Sequence, residues 1–230
     1  EWTGSRYMGY ITLARTARIM SAAYGEQIII SDTARSQISG RTEYTFRDLG
    51  ERRLKDIKKP IRLYQITGSG LREEFPPLKT LDARPNNLPI QLTSFIGREK
   101  ELADVKDLLR NNHLLTLLGY GGGGKTRLAL QVSADLIDDF ANGAWFIELA
   151  SVSNPELLLK AVIESIDIKE EPGKSLEQTL LDYLKDKELL LILDNCEHLI
   201  SAAAVVAEKL LKLCPKIKIL ATSPEGLKCV

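Results

Sequence analysis

Apolar residues change their spacing several times along the chain, and each change predicts an element. In "KTRLALQVSADLIDDF" they recur every fourth position, at Leu128, Val132, Leu136 and Phe140, which is the period of one helical face. Just ahead, "HLLTLL" is a short apolar run of strand length. The runs "AWFIELA", "ELLLILD" and "IKILATS" have the same character. Helical patterns lie between them: one after Asn154–Pro155, one in "LEQTLLDYLKD" and a long one in "EHLISAAAVVAEKLLKLC". Alternating strands and helices predict an α/β fold, a parallel sheet covered by helices on both faces with right-handed crossovers.

The first 67 residues follow a different plan. "LARTARIMSAAYG" has helical spacing and stops at Gly25, "EQIIIS" is a β-branched strand, and "DTARSQIS" is a small helix closed by Gly40. "TEYTFRDLG" alternates and "IRLYQIT" follows Pro60, so two more strands are expected in an α+β unit that opens part-way through a domain. Residues 68–93 hold Pro76, Pro77, Pro85 and Pro89 with little periodicity, the composition of a semi-rigid linker. The expected organisation is therefore 1–67, a linker over 68–93, and an α/β domain over 94–230. In the last of these, Leu102, Val105 and Leu109 stripe a helix behind a Phe95–Ile96 pair suited to a docking wedge.

Composition narrows the class. Hydrophobic content of 44% and charged content of 27% are those of a globular protein, and no apolar run reaches the ~20 residues of a membrane span. Cys196, Cys214 and Cys229 are odd in number and lack metal-ligand spacing, so they predict packing residues in a reducing, cytoplasmic setting. The zero net charge divides into 12 basic against 7 acidic side chains over residues 1–67 and 16 against 21 over 94–230. That imbalance is too small to predict contact with nucleic acid.

The glycine run between the first α/β strand and its helix carries the chemistry. Gly119, Gly124, Lys125 and Thr126 fill the GxxxxGK[ST] spacing, with Gly121, Gly122 and Gly123 between them. In such a loop successive backbone N–H groups and the positive end of a helix macrodipole attract phosphate oxygens. Lys125 then serves the terminal phosphates and Thr126 a Mg²⁺ ion, with Arg127 in the following turn. The partner carboxylate should end a buried strand, and Asp194 follows the apolar residues Leu189 to Leu193. A glutamate that orients water often follows such an aspartate, but here the place holds Asn195. Glu197 is the candidate substitute, with His198 beside it, although the helix macrodipole explains a glutamate there equally well.

The segments "SFIGREKEL", "GYGGGGKTRLAL", "LILDNCEHL" and "ILATS" resemble the nucleotide-binding domain of STAND ATPases of the NB-ARC kind. More narrowly, they resemble bacterial regulators that join a class III adenylate/guanylate cyclase domain to this ATPase. The resemblance implies ATP or ADP with Mg²⁺ as ligands, base contacts from Ile96, Gly97 and Arg98, and a fourth strand lying between the loop strand and the aspartate strand. It also implies an arginine after "ATS" that senses the terminal phosphate; this chain has Pro224, with no guanidinium and no amide hydrogen. Residues 1–67 are similar to the C-terminal part of the cyclase domain, a ferredoxin-like unit. Arg18 stands at that family's transition-state arginine and Lys55 at its phosphate lysine, but Ala14 replaces its ribose-binding asparagine and its metal-binding aspartates would precede Glu1.

These readings converge on a nucleotide-dependent switch of a multidomain regulator, hydrolysing ATP slowly, with C-terminal output domains of a transcriptional kind outside this chain. Homo-oligomers are compatible with it. A cyclase with a regulatory P-loop unit is the alternative. A P-loop kinase would need an acceptor pocket, for which no motif is present.

Overall fold

The protein is described here by a computed structural model covering residues 10–38, 44–55, 57, 59–89 and 97–227. Described residues through Ala83 form one compact unit and those from Arg84 onward a second, so the proline-containing segment is divided between them. Gly40, the Phe95–Ile96 pair and Cys229 lie outside the described residues.

In the first unit, helix α1 (Tyr10–Ala22) precedes strand β1 (Ile29–Ser31), helix α2 (Asp32–Ile38), and strands β2 (Thr45–Arg52) and β3 (Ile61–Thr67). The strands form an antiparallel sheet of order β1-β3-β2. Helix α1 ends at Ala22 rather than running to Gly25, because Gln27 folds back to bond Tyr24 through both its backbone and its side chain. A bulge between Asp48 and Gly50 bends β2, where Gly50 takes φ 80° and its amide donates to Asp48 Oδ1 at 2.8 Å. The core joins Ile19, Ala22, Leu54, Ile61 and Leu63 to Leu78, a residue from the stretch read as linker. That stretch is also stitched by its backbone, Lys79 N donating to Ala22 O at 3.0 Å and Leu81 N to Arg53 O at 2.9 Å.

In the second unit, helix α3 (Glu99–Asn111) leads to strand β4 (Leu114–Leu118), helix α4 (Lys125–Leu136) and strand β5 (Ala144–Glu148). Helices α5 (Leu158–Ser165) and α6 (Leu176–Leu184), strand β6 (Leu190–Asp194), helix α7 (Ile200–Leu213) and strand β7 (Lys218–Ser223) follow. The sheet is wholly parallel, in the order β4-β7-β6-β5, so the last strand lies between the loop strand and the aspartate strand. This is the α/β architecture of a P-loop NTPase. The apolar run of β6 is buried along its whole length, and each such Leu or Ile removes enough surface from water to contribute about 1.5–3 kcal/mol.

Side chains secure the β5 border of this sheet and the end of α3. Along β5, Asn86 makes an isolated parallel bridge to Ala144, while the Asn87 amide donates to Phe146 O at 2.8 Å and accepts from Phe146 N at 2.6 Å. A Cβ at Gly143 would come within 1.6 Å of Pro85 O, so this approach of two backbones requires glycine. At the start of β7, the Lys218 ammonium donates to the carbonyls of Leu109 at 2.7 Å, Arg110 at 2.5 Å and Asn112 at 3.2 Å, capping the end of α3. Burial of that ammonium draws its pKa below the usual lysine range. Helix α3 is further joined to α4 by Lys106–Asp135 at 3.0 Å and to the 3-10 turn Ile137–Asp139 after it by Arg110–Asp139 at 3.3 Å. Among the described residues no helix is long and apolar enough to cross a membrane.

Candidate nucleotide-binding site

Strand β4 delivers the chain to the C-terminal end of the parallel sheet, where the glycine loop turns it into α4. Gly122 at φ 77° and Gly124 at φ 76° adopt the left-handed conformation that L side chains resist. Gly123 N closes a turn on Tyr120 O at 3.2 Å, and a Cβ at 123 would press on that carbonyl at 3.1 Å. Leu128 N then bonds Gly124 O at 2.9 Å as α4 begins. The first amides of α4 and the loop amides before them are thus gathered at one helix start.

The lysine and threonine of the motif face different partners. Lys125 Nζ donates to Gly119 O at 2.7 Å and Tyr120 O at 3.0 Å, holding its charge over the loop entrance. Thr126 Oγ1 shares its one proton between Asp194 Oδ1 at 2.8 Å and Oδ2 at 3.0 Å, bringing together two residues 68 positions apart. Asp194 is only 2% exposed, and hydrogen bonds from hydroxyls replace the water its oxygens would otherwise bind. Arg127 is half-buried in the first turn of α4, while Gly121, Gly122 and Gly123 are exposed.

Arg98 reaches the same loop from the other side. It adopts φ 62° at the start of α3, pairs its Nε with Glu101, and donates from a terminal nitrogen to Gly123 O at 3.0 Å. Gly97 N bonds Glu99 Oε1 at 3.1 Å, and Ile96 lies outside the described residues. Glu197 is exposed in the 3-10 turn Cys196–Leu199, and among the described residues no hydrogen bond ties it to Asp194 or the loop. Its neighbour His198 bonds Val152 O at 2.9 Å through Nε2, and burial pushes the Cys196 thiol up to about 12. Pro224 is exposed just past β7.

Two residues at this end of the sheet escaped the sequence reading. Thr222, fully buried in β7, donates to Asp194 Oδ1 at 2.7 Å. Glu148, at the end of β5, stands in register with Asp194 on the neighbouring strand. Thr222 had one usable signal, a polar residue inside the apolar run "ILAT".

With this geometry in place, residues 98–207 match the family model of the NB-ARC domain. On the P-loop NTPase fold of the second unit, this stretch is similar to NB-ARC domains. The NB-ARC match spans Arg98, the glycine loop, Asp194 and Glu197, and ends before β7. An uncharacterized protein of Mycobacterium tuberculosis is 41% identical over 136 residues, covering 59% of this chain and 35% of that protein. Another from the same species, named "Putative HTH-type transcriptional regulator", is 36% identical over 123 residues, covering 54% of this chain and 14% of that protein. The chain therefore spans about a third or less of these relatives' lengths. Among solved structures, the ORC2 protein of Aeropyrum pernix in ADPNP–ADP complexes gives a TM-score of 0.45 at 14% identity, covering 57% of this chain and 42% of that one. Cdc6p of Pyrobaculum aerophilum gives 0.44 at 22% identity, covering 59% and 40%. Both are distant likenesses.

Proposed function

We propose that this NB-ARC-like domain is the ATP- or ADP-binding switch of a multidomain regulator with a transcriptional output, and that it turns ATP over slowly. The observation that carries this reading is the hydrogen bond from Thr126 to the buried Asp194 beside the glycine loop, 2.8 Å long. A hydroxyl and a carboxylate side by side are the kind of oxygen donors a hard divalent cation takes. Thr126 and Asp194 would hold Mg²⁺, which when bound neutralises charge on the phosphates. The loop amides and Lys125 would take the phosphate oxygens, and Arg98, with Gly97 and Ile96, would border the base. Asn195 in place of a glutamate supports slow turnover, and Pro224 supports a switch without an arginine sensor. Glu197 and Glu148 are the carboxylates available to orient water.

The regulator reading draws support from the relative that bears an HTH-type name. Output domains beyond this chain and self-association belong to the same proposal, as does a cytoplasmic setting. For the first unit we propose a cyclase-type fold without cyclase activity: Ala14 lies exposed on α1 and offers no hydrogen bond four residues ahead of Arg18. Product analysis with labelled ATP tests the reading. ADP as the sole product supports the switch, cyclic AMP would replace it with the cyclase, and phosphate on a small acceptor with a kinase. Lys125→Ala should weaken ATP binding at least about 100-fold by calorimetry, because the cation that serves the terminal phosphates is lost. Unchanged affinity would overturn the assignment of the loop.

A further inference from the structure

We propose that Thr222 is the positioning residue of the cation site, fixing Asp194 for Mg²⁺; this rests on the nucleotide-binding reading above. Thr222 Oγ1 lies 2.7 Å from Asp194 Oδ1 as donor and accepts from Asn195 N at 3.0 Å. A hydroxyl has one proton to give. The Asn195 amide can only donate and a carboxylate oxygen accepts, so Oγ1 receives from Asn195 and gives its proton to Asp194.

Asn195 delivers its amide by taking the left-handed conformation, φ 61° and ψ 54°, which asparagine tolerates better than most residues. The departure from glutamate at this position thereby acquires a structural reason: the turn after β6 aims a backbone N–H at β7. All three participants are sheltered, Thr222 at 0% and Asp194 at 2% exposure with Asn195 half-buried, so water competes poorly for these bonds.

The two hydroxyls on Asp194 differ in their duties. Thr126 belongs to the phosphate-binding loop and must offer oxygen to the cation as well as a proton to Asp194. Thr222 has no cation to serve. It holds the carboxylate from strand β7, whose register with β4 ties Leu117 to Thr222 itself. Hydrogen bonds to a metal-binding carboxylate set its orientation, and their loss typically lowers metal affinity by about 10–100-fold.

The test is calorimetric titration of ADP into the full chain at stepped Mg²⁺ concentrations and in EDTA. Thr222→Val keeps the shape of the side chain and removes the hydroxyl. It should raise the Mg²⁺ concentration at half-maximal effect about tenfold, leave affinity in EDTA within about twofold, and be rescued by Thr222→Ser to within about threefold. Circular dichroism checks folding, and if valine disrupts it, Thr222→Ala is measured with the same expectations. An unshifted Mg²⁺ midpoint, or a serine variant as impaired as valine, overturns the role of Thr222 while the nucleotide reading stands. Failure of the unaltered chain to bind ADP with or without Mg²⁺ overturns both.

Discussion

The two sheets of this protein solve the same problem in opposite ways. The parallel sheet of the second unit is covered on both faces, and β6 at its interior has no exposed residue. In the antiparallel sheet of the first unit, β2 is exposed or half-buried throughout, and only β3 at its centre is well covered. The difference explains where chemistry can sit. A carboxylate such as Asp194 keeps one geometry because the strand carrying it is packed on every side, whereas Asp48 on β2 meets Arg62 in solvent.

The comparison can be broken most severely by cutting the chain. A fragment of residues 1–67 loses Leu78 and the backbone bonds at Lys79 and Leu81, and should show no cooperative thermal melt, whereas residues 84–230 should melt cooperatively. A sharp transition in the short fragment would mean that the antiparallel sheet needs no such closure. Next in size, Ile192→Ala in fully buried β6 should cost about 3–4 kcal/mol in urea unfolding, against about 1 kcal/mol for the half-buried Ile66→Ala in β3. Equal losses would erase the contrast between the sheets.

Asn87→Ala should remove about 1–3 kcal/mol from the second unit, since it unpairs the Phe146 N–H and C=O, and Asn87→Asp should restore only the acceptor half. A neutral effect would show that the strap along β5 is ornamental. The smallest effect belongs to the first sheet's surface: Arg62→Gln should leave the melting temperature unchanged within error, because its pair with Asp48 is solvated on both sides. The Asp48 carboxyl is held below its ordinary range chiefly by the Arg62 hydrogen bond and then by the Gly50 amide. Its protonation at low pH should therefore be moved upward by Arg62→Gln, an effect visible by NMR titration.

Much of this was legible along the chain, and the exceptions share a cause. The period of Leu128, Val132 and Leu136 exposed α4, the spacing from Gly119 to Thr126 exposed the loop, and the run into Asp194 exposed β6. Each is a local pattern within a single element. The long helix expected from Glu197 begins instead as a 3-10 turn, with α7 starting at Ile200, because Asn195 leaves β6 in a left-handed turn. Thr222 read only as part of an apolar strand, since its importance lies in facing a residue 28 positions away. Asn87 and Leu78 read as linker because prolines around them suppress periodicity, while their partners, Phe146 and the α1 core, are distant in sequence. Lys218 sits inside the run "IKILATS" that read as a strand, and its closing of the end of α3 depends on residues more than 100 positions away.

The meeting of Gly143 with Pro85 makes two remote sites one heritable unit. Any methyl at position 143 would collide with the carbonyl of residue 85 at 1.6 Å, so the strap would have to peel away from β5 for the side chain to be seated. Transplanting this sheet into another scaffold therefore means carrying residues 84–88 along with it, or redesigning both positions in a single step.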